Sequence, residues 1–316
     1  MVQPNPQPGI IETLRQAITS VLGAPPDPTA LEPKVLETVD HAHFRRERIK
    51  YAVSPIDSAY AHLIIPKSAR APMPVIICHH SGGNFSLGKD EIIGAGGDET
   101  LSIGAELARL GFAVFAPDAV GYGERRAAQS TGEAFDAAYT LHQHTLLLLR
   151  GETLLKKLLW DIARGVDYLE TRSEINAKKI GFFGQGAYGG KMALWSAALE
   201  PRIVAAAAHG GIVSYREIVR RGSLFMVEFV VPRLMQVADL HHLLALVAPR
   251  PFLISHVAHD PQSADAGEIF HRAVPAYQKM GAPNCLSYYM YPKGIGFEKP
   301  MRYNLYGWLA SWLMSY

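Results

Sequence analysis

Four glycines fall within seven residues at Gly184-Gln185-Gly186-Ala187-Tyr188-Gly189-Gly190. An apolar, strand-like run, Lys179-Ile180-Gly181-Phe182-Phe183, leads into them. A helix-forming run, Lys191-Met192-Ala193-Leu194-Trp195, leads out. A strand that becomes a helix in so few residues needs a sharp corner. Glycine reaches positive φ and allows close backbone approach without a side-chain penalty. A strand, a tight turn and a helix that lies back over the strand form the unit of an α/β fold.

The rest of the chain repeats this alternation. Strand-like runs occur at Phe44–Val53, Ala59–Ile65, Pro74–His79, Gly111–Ala116, Ile180–Phe183, Ile203–Ala208, Pro251–Ser255 and Leu286–Tyr291. Helical spacing marks Ile10–Leu22, Thr100–Leu110, Leu146–Leu169, Ala264–Met280 and Arg302–Met314. The expectation is a mostly parallel central sheet with helices on both faces. Residues 1–43 read as an N-terminal helical extension and residues 44–316 as the main domain. Two segments, about 130–150 and 212–246, read as a helical lid over a small-molecule pocket, with a packed cap or dimer surface as the other reading of 212–246. The apolar stretch Leu224–Val231 offers a surface for a homodimer.

A chain of 316 residues, 48% hydrophobic, buries a core without staples. A net charge of +2 gives no pull toward nucleic acid or a membrane surface. No apolar run approaches the roughly 20 residues that span a bilayer. Met1–Gly9 has neither a basic start nor an apolar segment of leader type, so a cytoplasmic protein is expected. Cys78 and Cys285 both fall in apolar strand-like runs and read as buried thiols rather than a disulfide.

The glycine corner also spells G-x-G-x-x-G, the pattern of a dinucleotide-binding turn. That chemistry expects an acidic residue at the end of the next strand, where the chain has Ala205-Ala206-Ala207-Ala208-His209. No nucleotide cofactor is expected. No metal site is expected either. His142 and His144 are two apart and share no helix face. His241 and His242 are adjacent, and no His-Glu-x-x-His or Cys-x-x-Cys occurs.

Several short motifs follow one another in order. Cys78-His79-His80-Ser81-Gly82-Gly83-Asn84 and Leu87-Gly88-Lys89-Asp90-Glu91 come first. Ala116-Pro117-Asp118 and Gly121-Tyr122-Gly123-Glu124-Arg125 follow. The glycine corner then runs on to Leu199-Glu200-Pro201-Arg202-Ile203. Ala248-Pro249-Arg250-Pro251 and His259-Asp260-Pro261 close the series. In this order the chain resembles the α/β-hydrolase superfamily, in its dienelactone hydrolase and acetyl xylan esterase-like branch, from about Phe44 to the C-terminus.

That resemblance implies a nucleophile at the corner, a histidine base, an acid that orients it, and amides that hold an oxyanion. Here the chain departs from the pattern. Two registers fit the corner. With Ala187 at the nucleophile position, Gly189 and Gly190 satisfy the need for small residues after it, and one residue is inserted before it. With Gly186 there, Gly184 fits but Tyr188 lies two after. The spacing from Gly189 to Ile203 favours Ala187. Neither register supplies an oxygen or sulfur nucleophile. The histidine position, in Lys293-Gly294-Ile295-Gly296-Phe297, is held by Ile295. Asp260 stands where the family carries its acid, and a helix cap is the alternative reading.

The loop Ser81, Gly82 and Gly83 and the amide of Tyr188 stand where the resemblance implies oxyanion donors. A plain tight turn is the alternative. Glu124 and Arg125 read as an ion pair or as substrate contacts. His142 and His144 read as surface residues or as pocket residues under the lid. Three functions follow for a small-molecule partner. The first is a non-hydrolytic enzyme, an isomerase, lyase or cyclase, acting on a carbonyl compound. The second is a carboxylic ester hydrolase in an inactivated form. The third is a non-catalytic binding protein.

Overall fold

The computed structural model describes residues 8–27, 29–95, 103–223, 226–294 and 296–314. Nine strands form one sheet: β1 (Lys34–Asp40), β2 (Phe44–Ser54), β3 (Asp57–Pro66), β4 (Met73–His79), β5 (Ala113–Pro117), β6 (Ile175–Gln185), β7 (Ile203–His209), β8 (Phe252–Val257) and β9 (Leu286–Tyr291). Their spatial order is β1-β2-β3-β5-β4-β6-β7-β8-β9. The first three strands and the β3–β5 pair are antiparallel, and every pairing from β5 to β9 is parallel.

The helices are α1 (Pro8–Leu22), α2 (Ile103–Arg109), α3 (Glu133–Leu149), α4 (Leu154–Glu170), α5 (Gly186–Leu199), α6 (Tyr215–Arg221), α7 (Leu234–Val237), α8 (Leu240–Val247), α9 (Ala266–Lys279) and α10 (Lys299–Leu313). Parallel strands are buried on both faces and carry no polar side. The alanine run of β7 shows how the two faces divide. Ala206 and Ala208 join the larger core with residues of α4, α5, α8 and α9. Ala205 and Ala207 join the second core with α2 and α10. The expected α/β-hydrolase architecture is present.

Three expectations need correction. The extension over 1–43 is helical only at Pro8–Leu22. Residues Lys34–Asp40 form the edge strand of the sheet, antiparallel to β2. Its alternation is weak because the strand is mostly exposed, so no core face imprints a period of two.

The helix expected over Leu146–Leu169 is two helices. Gly151 breaks it at φ 75°, and the Thr153 side chain accepts a hydrogen bond from the Lys156 amide to start α4.

Among the described residues, the segments read as a lid do not line the cavity at the carboxyl ends of β4, β6, β7 and β8. Helix α8 is a core helix, with Leu240, Leu243, Leu244, Leu246 and Val247 buried. In the Leu224–Val231 stretch, Leu224 and Phe225 lie outside the described residues, while Phe229 and Val231 are buried. Met226 and Val227 are half-buried and Val230 is 39% exposed, so the described part of the stretch is partly core and partly surface.

Candidate active site

The register of the sheet levels the carboxyl ends of β4, β6, β7 and β8. His79 pairs with Gly184, Gln185 with His209, and His209 with Ser255. The loops leaving these strands enclose a cavity of about 530 Å³, within the size range of small-molecule sites. Ser81 comes from the loop after β4. Gln185 and Gly186 come from the corner, and His209 and Gly210 from the end of β7. Val257, Ala258, His259 and Asp260 follow β8. Gly294, Gly296 and Phe297 follow β9. Among the described residues, neither 130–150 nor 212–246 contributes to this lining.

The corner fixes the register that the sequence left between two choices. Strand β6 ends at Gln185 in extended backbone (φ −117°), and α5 begins at Gly186, whose φ is +71°. Strand and helix therefore abut with no inserted residue. The residue with strained backbone at the strand-to-helix turn is the one that presents its side chain at the top of the sheet. That residue is Gly186, and Ala187 is already in the first turn of the helix. Ala187, expected at the corner, therefore lies one residue beyond it.

The close contacts of the turn lie elsewhere. A Cβ on Gly184 would overlap the Gly189 carbonyl, and one on Gly190 would overlap the Gly210 carbonyl. The tightness that argued for Ala187 is met by these two pairs, which leaves room for a tyrosine at 188.

Tyr188 is fully buried and packs its ring against His79, His80, Tyr122 and Phe229. With the corner at Gly186, the amide next in line is that of Ala187. Gly82 sits at φ +79° directly against the Tyr188 Cβ. It fixes the loop over the aromatic cluster, and only Ser81 of the Ser81–Gly83 trio lines the cavity.

Ser81 is held firmly. Its hydroxyl donates to Glu91 Oε1 at 2.5 Å, and its amide donates to Glu91 Oε2 at 2.6 Å. The Gly83 amide donates to the Ser81 hydroxyl at 3.2 Å.

Asp260 reaches the cavity beside Gly210, where a Gly210 Cβ would lie 3.4 Å from Asp260 Oδ2. It also caps the short turn that follows it, accepting from the Gln262 amide at 2.9 Å and the Ser263 hydroxyl at 2.7 Å. Its hydrogen bonds are those of a cap, while its carboxylate also borders the cavity. Behind it, Lys191 of α5 is buried, and that burial lowers its pKa to about 8, opposed by the charges of Asp260 and Asp265. Ile295 lies outside the described residues, while its neighbours Gly294 and Gly296 line the cavity.

For the remaining residues the structure shows ion pairs and positions away from this cavity. Glu124 bonds Arg48 and Lys89, each at 2.8 Å. Arg125 bonds Asp161 at 2.6 Å and Asp57 at 2.7 Å. Both residues line a separate, charged depression, and their partners make them structural ion pairs. His142 is exposed on α3, and His144 is buried on the same helix away from the cavity.

His209, Gln185 and Glu91 went unassigned in the sequence. His209 ends an alanine run at the carboxyl end of a parallel strand, which was a legible sign. Its Nδ1 lies 2.9 Å from the Ser255 hydroxyl. Burial lowers its pKa to about 4, against a backbone hydrogen bond to Gly296 and the charge of Asp260. The ring is therefore neutral at pH 7.

Residues 60–222 match the Dienelactone hydrolase family. A Bacillus subtilis (strain 168) protein named "Putative hydrolase YtaP" is 28% identical over 305 residues, covering 95% of this chain and 98% of that one. Among solved structures, a "putative acetyl xylan esterase" from Bacteroides fragilis NCTC 9343 superposes with a TM-score of 0.75 at 17% identity, covering 94% of this chain and 81% of that one. A glucuronoyl esterase from Solibacter usitatus gives 0.69 at 16% identity, covering 98% and 94%. At such identities the superpositions establish the fold.

Proposed function

Because the chain belongs to the dienelactone hydrolase family, we propose that it is an esterase-like hydrolase taking a small carboxylic ester in the cavity at the strand ends. The observation that carries this reading is the cavity itself, of about 530 Å³, closed on one side by the corner where β6 becomes α5. The first amides of a helix have no partner inside the helix, and its dipole favours negative charge there. An ester carbonyl seated against that end would be polarised toward an oxyanion. Gly186 has no side chain to attack it, so the attacking oxygen comes from outside the corner.

A second reading draws on that same bare corner. A pocket that polarises a carbonyl without a corner nucleophile suits isomerisation, elimination, decarboxylation or cyclisation of a carbonyl compound. In that reading neutral His209, bonded to Ser255 and the Gly296 backbone, shapes the pocket rather than shuttling protons.

The test is turnover and binding of p-nitrophenyl acetate and butyrate by the native chain and by Ala258→Trp, which puts an indole into the cavity. Ester hydrolysis that disappears in Ala258→Trp supports the ester reading. Hydrolysis undiminished by the indole, or esters that neither bind nor turn over, refutes it. Binding in which a carbonyl compound returns as an isomer or elimination product favours the second reading.

A further inference from the structure

Ser81 supplies the one hydroxyl among the described residues that line the cavity. It also stands beside the place the corner leaves bare. A Cβ built on Gly186 would lie 3.5 Å from the Ser81 Cβ. The hydroxyl has one proton and two lone pairs. Its proton is directed to Glu91 Oε1 at 2.5 Å, and one lone pair accepts from the Gly83 amide at 3.2 Å. One lone pair is left for an electrophile in the cavity. Glu91 is 5% exposed, and its second oxygen is aligned by the Ser81 amide at 2.6 Å. A carboxylate gripping both the amide and the hydroxyl of one serine is oriented as a base must be.

We infer that Ser81 is the nucleophile of this site and Glu91 its general base, acting on the carboxylic ester of the proposed function, on which this inference rests. The Ser81 oxygen forms a bond to the ester carbonyl carbon as its proton passes to Glu91. The carbonyl π pair moves onto the carbonyl oxygen. That pair returns, the bond to the alcohol oxygen breaks, and the departing alkoxide takes the proton from Glu91. Water then repeats the sequence on the acyl-serine. It gives a proton to Glu91, adds to the acyl carbon, and expels the Ser81 oxygen, which recovers that proton. The sum is ester plus water to acid plus alcohol, with no further reactant. The nucleophile has moved from the end of β6 to the loop after β4, across the same cavity.

Glu91 could also serve only to hold the loop, so the test must separate the two roles. In Glu91→Gln the carboxamide oxygen can accept from the Ser81 amide while its NH2 donates to the Ser81 hydroxyl. Both contacts survive, and the proton acceptor is gone. The experiment treats the native chain, Ser81→Ala and Glu91→Gln with a fluorophosphonate, maps the adduct by peptide mass, and measures p-nitrophenyl acetate hydrolysis and melting. The expected adduct is on Ser81 of the native chain. Turnover is lost in Ser81→Ala and falls by roughly 10²–10⁴-fold in Glu91→Gln at an unchanged melting temperature. If Ser81→Ala does not fold, the position of the native adduct decides.

Hydrolysis at the native rate in Ser81→Ala, or an adduct on another residue, overturns the inference and leaves the ester reading standing. Native chain that binds esters in the cavity with neither turnover nor adduct overturns it as well. Failure to bind or cleave any ester removes both.

Discussion

Placing a serine at the corner tests the register directly. In a Ser81→Ala, Ile295→His background, the chain's own cavity hydroxyl is absent and the family-implied histidine is supplied. Gly186→Ser and Ala187→Ser are then compared. A Cβ at Gly186 meets nothing nearer than 3.5 Å, so the change brings no overlap. Its cost is conformational. An L-residue held at φ +71° loses roughly 1–2 kcal/mol against glycine. Ala187→Ser sits in a first helical turn and costs at most about 0.5 kcal/mol in propensity. The expected result is therefore paired. Gly186→Ser lowers the urea midpoint yet gains p-nitrophenyl acetate turnover, by about 10²-fold or more for a base-assisted hydroxyl. Ala187→Ser does neither. Turnover gained by Ala187→Ser, or Gly186→Ser with no loss of stability, would refute the assignment of Gly186 as the corner residue.

Acid should destabilise the fold before carboxylates titrate. Burial lowers the pKa of His79 and His209 to about 4, below the ordinary 6.5. The unfolded chain therefore takes these protons first as pH falls. Their contribution is complete above pH 6.5 and is lost between 6.5 and 4. At pH 5 the loss is about 2 kcal/mol per histidine. Urea unfolding at pH 7 and pH 5 measures it, and a His209→Gln variant should show a shallower dependence; equal slopes would count against the argument. Buried Lys89 donates to Asp118 through both its Nζ at 2.9 Å and its amide at 2.7 Å. Lys89→Met leaves that carboxylate without its cation and should cost about 3–5 kcal/mol in denaturant unfolding. A loss under half of that would mean the carboxylate is neutral in the fold.

The sheet was legible where burial on both faces wrote long apolar runs, as in β4, β6 and β7. Edge strand β1 was not, because exposed Lys34–Asp40 carries no core-facing alternation. Asp260, picked out by motif order, lines the cavity. The corner was legible as a corner, but its register was not. Four glycines in seven residues satisfy two registers, and only the φ values and the Gly184–Gly189 and Gly190–Gly210 approaches separate them. For Glu124, Arg125 and His144 the sequence left two readings open for another reason. Chemistry-bearing side chains near a motif say nothing about where their partners sit. Asp57, Asp161 and Arg48, which claim Arg125 and Glu124, are far away in sequence.

The contacts that shape the corner do not depend on what stands at its apex. Gly184 against Gly189 and Gly190 against Gly210 bring β6, α5 and the end of β7 together through backbone atoms alone. A glycine at 186 then relieves the strain that any other residue would carry there, by roughly 1–2 kcal/mol, without altering the turn. The turn that brings the start of α5 to the cavity thus persists with or without a side chain at its apex. Activity has to be sought in the atoms that remain able to exchange a proton with a carbonyl addition. Ser81 meets that condition through Glu91, and it does so from a loop whose own geometry is fixed by the carboxylate it would use.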